Sequence, residues 1–371
     1  MQQPDKPILM LADIGGTNAR FAICASAEMA ADSQGLDHIR IYLTRDFASL
    51  DLAISAYLDD IRWAPSALAL AVAAHVPTGI ATGCDVVISF DNNPWSFAPV
   101  PLKKRLQLDH LVCVNDFVAQ GLAHSRYFLA QDVRKAGEGQ IAPCHDANPA
   151  PISTLVRGEP DEAAPMIVIG AGTGLGTAIL VPEGNHFTVL AGQGGHMYFA
   201  PISDLERELA RWFSAHRPEQ LRHQPITAED FASGRGLERI YAFLKNQHTS
   251  DAGKRSFSSA DVIGRKAVQG DRLAREAVYM MMGILARFAA NAVLLTNATG
   301  GVILAGGIMP KLAALFETSP FLDQFIDHPG FPAMLRRIPF YLAADPLAGL
   351  KGVRLAFAAG SRARTSWCLL A

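Results

Sequence analysis

The chain has 371 residues, half of them hydrophobic and 18% charged, so it can bury a large core and does not read as disordered. Its formal net charge is −2 and it holds no basic block, which argues against nucleic acid as a partner. The five cysteines Cys24, Cys84, Cys113, Cys144 and Cys368 are far apart and odd in number, as expected of reduced thiols in a cytoplasmic protein.

The first seven residues lack the apolar core of a signal peptide. Two apolar runs follow, Ile8 to Ala12 and Phe21 to Cys24, on either side of Asp13-Ile14-Gly15-Gly16-Thr17-Asn18. Short apolar runs around paired glycines predict a β-hairpin. Gly15 and Gly16 can take positive φ and leave backbone N–H groups uncovered, an anion-holding arrangement to which Thr17 and Asn18 add donors. Asp13, at the end of the first strand, faces the same space and can hold a hydrated Mg²⁺. An ordinary glycine turn with a solvated Asp fits the hairpin equally well. A third strand is predicted at His38 to Thr44. A helix is predicted over Ser49 to Ile61, with Leu52, Tyr57 and Leu58 at helical spacing and Ser49 or Asp51 as N-cap. Ala67 to Ala74 reads as a buried strand, Asp85 to Phe90 as another, and Asp91-Asn92-Asn93-Pro94-Trp95 as a turn. Val100 to Leu108 reads as a basic helix, His110 to Val114 as a strand ending in Asn115-Asp116, and Phe117 to Ser125 as a helix. This order predicts a mixed sheet with covered faces.

Residues 129 to 165 are rich in Gly, Pro, Asp and Glu and predict a long connection. The opening device then recurs: Met166 to Ile169 is apolar, Gly170-Ala-Gly172-Thr173-Gly174-Leu-Gly176 is the turn, and Thr177 to Val181 is apolar again. Phe187 to Ala191 supplies a third strand, so the pattern predicts a duplicated domain. Asp204 to Phe213 reads as helix and Asn246 to Ser259 as a polar loop. Asp271 to Leu295 reads as the longest helix, with Leu273, Ala277, Met281, Leu285 and Phe288 on one stripe. The uncharged run Phe288 to Pro310 is long enough to cross a bilayer, but its Asn and Gly residues break it into helix end, turn, strand and turn, against membrane insertion. Gly301 to Ile308 is a strand running into Gly306-Gly307, and Pro310 to Thr318 starts another helix.

Glycine turns at strand ends, at 13–18, 170–176 and 305–308, fit a nucleotide triphosphate: the first two can hold its phosphates and the third lets adenosine approach closely. Asp116 fits two roles, the N-cap of the following helix or a base that takes a proton from a sugar hydroxyl. Gln193, Gly194, Gly195 and His196 offer directional donors and acceptors suited to sugar hydroxyls, or form a glycine turn with a polar rim. Glu229 sits in the first turn of a predicted helix, where it can also act as a capping charge.

In order along nearly the whole chain, six segments resemble the bacterial glucokinase family of the hexokinase and actin-like ATPase superfamily: Ala12 to Arg20, Asn115-Asp116-Phe117, Gly170 to Gly176, Gly192 to His196, Glu229 with the turn Ser233 to Leu237 after it, and Gly300 to Ile308. Asn92, three residues before Trp95, sits where that family has an Asn near the sugar. The resemblance implies an α/β fold: two ribonuclease H-like α/β domains with mixed sheets and a cleft between them. The small domain would take residues 1–124 plus 345–371 and the large one 125–344. It implies ATP, with Mg²⁺ carried on its phosphates near Asp13 and no direct metal ligand. Glucose or a related hexose is the implied substrate and a homodimer the implied assembly. Asn92, Asn115, Gln193, His196 and Glu229 would hold sugar hydroxyls, and Asp116 would deprotonate the 6-hydroxyl. Asp13, Gly15, Gly16, Thr17, Asn18, Gly172, Thr173, Gly174, Gly306 and Gly307 would line the ATP site. The zinc motif of the related repressor and sugar-kinase branch is missing. Two departures stand out: Gln193 replaces a Glu, and Asp327-His-Pro-Gly-Phe331 lacks two cations usual there. Gln193 keeps open a different hexose or a catalytically silent sugar-binding relative, and an actin-like ATPase with a protein client is a third reading.

Overall fold

The computed structural model describes residues 8–25, 35–77, 86–129, 152–184, 186–248, 258–359 and 368–370. The chain opens with β1 (Ile8–Ile14), β2 (Asn18–Ala25), β3 (Asp37–Leu43), α1 (Leu50–Ile61) and β4 (Ala67–Val72). A two-residue pair, β5 (Ile88–Ser89) and β6 (Ser96–Phe97), precedes α2 (Pro99–Arg105), β7 (His110–Asn115) and α3 (Asp116–Leu129). Then come β8 (Ile152–Val156), β9 (Met166–Ala171), β10 (Leu175–Glu183), β11 (His186–Gly192), α4 (Asp204–His216), α5 (Gly234–His248), α6 (Ala260–Val268) and α7 (Arg272–Thr296). The last elements are β12 (Gly301–Ala305), α8 (Met309–Leu312), α9 (Phe321–Ile326), α10 (Pro332–Leu335), β13 (Phe340–Ala343), α11 (Ala348–Ala359) and β14 (Cys368–Leu370).

The sheets have the orders β14-β7-β4-β1-β2-β3 and β11-β10-β9-β12-β13-β8. In the first, β1, β4 and β7 are parallel, while β2, β3 and β14 run antiparallel to their neighbours. In the second, β9, β12 and β13 are parallel and β8 closes the edge antiparallel. Each sheet therefore sets a parallel trio beside a hairpin strand, and the duplication expected from the repeated glycine turn is present as a matching strand order. The described residues divide into two compact units, one within residues 1–137, 178–191 and 345–371 and the other within residues 138–177 and 192–344.

The first unit buries β1 and β4 completely, as their unbroken apolar sequences require. Phe21 stacks on Tyr57 at 5.1 Å between ring centroids, joining β2 to α1. Ser49 caps α1 by accepting the Leu52 N–H. The apolar face of that helix is Leu50, Ala53, Ile54, Tyr57 and Ile61, so the expected stripe through Leu52 is out of phase and Leu52 is 54% exposed. α3 and α11 press together where Gly352 meets the backbone of Ala119; a side chain there would collide with the Ala119 carbonyl. α3 also lies against the β10–β11 hairpin, where an added Cβ at Gly121 would crowd Val189 and Leu180.

In the second unit α7 is the central core helix, with Ala277, Val278, Met281, Met282, Leu285, Phe288 and Val293 buried. It is long and apolar enough to cross a membrane, and 67% of its most apolar window is buried within the protein. Asp271 caps its start through the Ala274 N–H, and Asn297 ends it at φ +50°. The run from Phe288 to Pro310 divides into helix end, turn, strand and turn, as its Asn and Gly residues indicated.

Several expectations change. Gly15 and Gly16 are not among the glycines at positive φ; the turn closes instead by a Gly15 N–H bond to the Asn18 carbonyl at 2.9 Å. The strand expected over Asp85 to Phe90 is only Ile88–Ser89, and Asp85 lies outside the described residues. The 129–165 connection contains β8, which pairs with β13; residues 130–151 lie outside the described set. Ser233 to Leu237, read as a turn, opens the fifteen-residue helix α5, which also runs into the expected 246–259 loop. The helix expected from Pro310 to Thr318 is one short turn, α8, followed by a 3₁₀ turn at Ala313–Leu315.

Gly352→Val places two methyl groups in the α3–α11 contact and is expected to lower stability by roughly 3 kcal/mol or more, measured by urea unfolding. A midpoint equal to the parent's would show that the contact yields without cost.

Candidate active site

The first glycine turn is fastened from outside. The Thr44 N–H donates to the Thr17 carbonyl at 3.0 Å and its hydroxyl to the Gly16 carbonyl at 2.9 Å. The Asn93 amide donates to the Gly15 carbonyl at 3.4 Å. Asn93 is itself held by the Trp95 N–H at 2.7 Å, and the buried Trp95 ring donates to the Phe47 carbonyl. These three carbonyls are taken up by the bonds, and the Gly16 N–H has no acceptor among the described residues. Asn92 therefore lies in the turn that its neighbour Asn93 ties to the glycine segment.

Asp13 lies across the hairpin from Arg20, whose guanidinium donates to its carboxylate at 3.1 Å. Burial raises the Asp13 carboxyl above the usual range, and the Arg20 charge and hydrogen bond oppose that rise. Gly349, in the first turn of α11, packs against the same carboxyl; any Cβ there would overlap it.

Asp116 is the first residue of α3, directly after β7. Asn115 takes the capping role: its amide oxygen accepts the Phe117 N–H at 2.9 Å and its amide nitrogen donates to the Ala74 carbonyl at 3.1 Å. One N–H and one lone pair of that amide remain for a ligand. The Asp116 carboxylate, half-buried at the surface of the unit, accepts the Phe117 N–H at 3.0 Å. Its carboxyl pKa is pushed up to about 8, first by loss of solvent and then by the negative charges of Asp13 and Asp91; the Phe117 N–H opposes the rise. A carboxylate in such surroundings holds a proton far more tightly than an ordinary Asp.

In the second unit Leu175 joins the other segments. Its N–H donates to Glu229 Oε2 at 2.9 Å, and its carbonyl lies where a side chain on Gly195 would have to go. Gln193 and His196 flank Gly195 and are exposed, with the Gly194 N–H bonded to Thr177 Oγ1 at 3.0 Å. The 229 turn is joined to the same loop by the Ala228 N–H bond to the Met197 carbonyl at 2.8 Å. Glu229 thus has one carboxylate oxygen tied to backbone, and Oε1 has no partner among the described residues. Gln193, His196 and Glu229 are brought to one loop cluster, beside the end of the 170–176 turn.

The second and third glycine segments also meet. The Ile308 N–H donates to the Ala171 carbonyl at 3.3 Å, and Gly306, at φ +83°, is pressed against Ala171. The Gly172 carbonyl accepts the Gly234 N–H at 2.8 Å at the start of α5. A Cβ added at Gly172 or Gly307 would meet nothing within 4 Å, so both glycines border open space. Backbone next to open space, beside a helix start, can receive an anion.

Sequence reasoning missed Asp91, Asn93, Thr44, Gly349 and Asp230. Asp91 and Asn93 lie inside a turn already singled out, so their signal was local; Thr44, Gly349 and Asp230 act through contacts distant in sequence.

A family model described as Glucokinase matches residues 10–360. The chain is 34% identical over 353 residues to a glucokinase of Ralstonia nicotianae, covering 93% of each. The glucokinase of an Antarctic psychrotroph superposes with a TM-score of 0.64 at 25% identity, covering 95% of this chain and 98% of that one. The glucokinase of Balamuthia mandrillaris, solved in complex with glucose, gives 0.70 at 20% identity, over 94% and 93%.

With a folded-state value near 8 against an unfolded value near 3.8, Asp116 keeps its proton in the folded chain while the unfolded chain loses it, so the parent loses stability as pH rises between the two. Asp116→Asn is therefore expected to melt about 5 °C higher than the parent at pH 8 and within ~1 °C of it at pH 4. A variant that melts below the parent at pH 8 contradicts this.

Proposed function

The chain belongs to the glucokinase family, and from that premise we propose the residue roles that follow. The enzyme transfers the γ-phosphoryl group of ATP to the 6-hydroxyl of glucose. The sugar oxygen bonds to the γ-phosphorus, the bond from that phosphorus to the ADP oxygen breaks, and Asp116 takes the hydroxyl proton. The observation that carries this assignment is the place of Asp116 directly after β7, as the first residue of α3 beside the Asn115 cap, and the upward direction of its pKa agrees with it. A carboxyl with a value near working pH is a stronger base than a solvated Asp and is still ionised in part.

Gly15, Gly16, Thr17 and Asn18 act on the ATP phosphates from the first hairpin, and Gly172, Thr173 and Gly174 from the second. Gly306 and Gly307 give the adenosine room. The open space beside Gly172 and Gly307 and the unpartnered Gly16 N–H support these roles. Mg²⁺ carried on the phosphates would supply charge neutralisation, and Asp13 is the carboxylate suited to hold its water, with Arg20 limiting the cost of keeping that carboxylate ionised. Asn92, Asn115, Gln193, His196 and Glu229 hold sugar hydroxyls; the partnerless Oε1 of Glu229 is the strongest acceptor among them.

A domain division at 1–124 plus 345–371 and 125–344, a homodimer and a cytoplasmic location complete the reading. Family membership disfavours a silent sugar-binding relative. The polar cluster at Gln193, His196 and Glu229 disfavours an ATPase with a protein client. Gln193 makes a neutral bond where a carboxylate would make a charge-assisted one, so the reading includes a weaker grip on glucose.

Asp116→Ala is expected to cut kcat by about a thousandfold or more while the glucose KM stays within about threefold, in a coupled assay of glucose 6-phosphate formation. Retained turnover removes Asp116 from its role. Gln193→Glu is expected to lower the glucose KM by roughly threefold to tenfold. An unchanged KM makes the amide irrelevant to binding.

A further inference from the structure

Glu229 has an acidic neighbour, Asp230, with an opposite fate. The Asp230 carboxylate is saturated: Oδ2 accepts from Arg217 at 2.8 Å, from the Thr227 N–H at 3.0 Å and from the Thr227 hydroxyl at 3.2 Å, and Oδ1 accepts from Arg239 at 2.8 Å. Arg239 also donates to the Asp230 carbonyl at 2.9 Å, so one guanidinium grips side chain and backbone together. Arg217 extends the network to the Gln224 carbonyl at 2.9 Å. Both guanidinium groups lie over one ring, that of Phe213, at 4.3 and 4.5 Å from its centroid. Phe213 in turn meets Phe231, the residue after Asp230, edge to face at 5.4 Å.

Two cations on one aromatic ring repel each other, and a shared carboxylate between them makes the arrangement favourable. The network is part-buried, with 12% of the Arg217 side chain, 30% of the Arg239 side chain and 15% of the Asp230 side chain exposed, so water screens it less than a surface ion pair. It encloses the turn that carries Glu229 on both sides, at Thr227 and at Asp230, and leaves Glu229 out of the ion pairs.

We propose that Asp230, Arg217, Arg239 and Phe213 form a clamp that sets the direction of Glu229, making Arg239 and Asp230 positioning residues for sugar binding. Both guanidinium groups pair with Asp230, so neither competes with a hydroxyl for Oε1 of Glu229. The inference rests on the reading of Glu229 as a sugar-binding residue.

The test is a double-mutant cycle on the full chain, with Glu229→Gln, Arg239→Met and their combination, followed by glucose KM, ATP KM and kcat. Arg239→Met alone is expected to raise the glucose KM about tenfold, with kcat and the ATP KM changed less than about threefold. In the Glu229→Gln background the same substitution is expected to add less than about twofold, because the residue it positions has already been changed. An equal, additive rise in both backgrounds, or a matching rise in the ATP KM, overturns the clamp and leaves a merely structural network. If Glu229→Gln alone leaves the glucose KM unchanged, the reading of Glu229 fails instead. Should Arg239→Met not fold, Arg239→Lys keeps the charge but loses the flat stack and the fork. Its expected glucose KM is about threefold above the parent, and no rise overturns the proposal.

Discussion

The first unit is built around a crowded set of negative charges. Asp13, Asp91 and Asp116 come from β1, from the turn before β6 and from the residue after β7, and the first two each disfavour ionisation of Asp116. The Arg20 guanidinium bonds Asp13 at 3.1 Å and offsets part of that crowding. Carboxyls that raise one another's proton affinity are held together only where a fold holds them by other means. Here the means are the buried parallel strands β1 and β4, the Asn115 cap and the packing of Gly349 on Asp13. A proton-hungry carboxylate is the result, which is what removal of a proton from a sugar hydroxyl demands.

The glycines do a different task from the one their reputation suggests. Of those in the proposed nucleotide segments, Gly306 alone sits at positive φ. Gly195 and Gly349 are there because a neighbouring backbone or carboxyl fills the place of a side chain, while Gly172 and Gly307 face open space. The first kind brings segments together; the second leaves room for a ligand. Leu175 shows the economy of the first kind, since one residue's N–H and carbonyl align both the Glu229 turn and the Gly195 loop.

The hairpins and their glycine turns were legible because an apolar run, paired glycines and a second apolar run leave the chain few alternatives. The parallel strands β1, β4, β7, β9 and β12 were legible from continuous apolar stretches and α7 from its long stripe, whereas β13, only four residues long, was not read as a strand. α5 was hidden by the same signal that revealed the hairpins: Gly234 and Gly236 read as a turn, yet they are required by close approach to the Gly172 and Phe231 carbonyls at a helix start. β8 was hidden because Ile152–Val156 is short and lies in a polar stretch, so only pairing with β13 makes it a strand. Leu52 misled the phase of α1 because an exposed Leu looks like a core residue until the sheet is known. Within the site, single residues at strand ends could be read, but the charges that tune Asp116 and the arginines that hold Asp230 come together only in the folded chain.

The central claim is that the fold makes Asp116 a far stronger base than a solvated carboxylate. ¹³C-carboxyl NMR of aspartate-labelled protein, with the Asp116 signal assigned by its loss in a substituted variant, reads this directly. The account predicts that the signal titrates with a midpoint near 8. A midpoint near 4, the ordinary value for Asp, would contradict it.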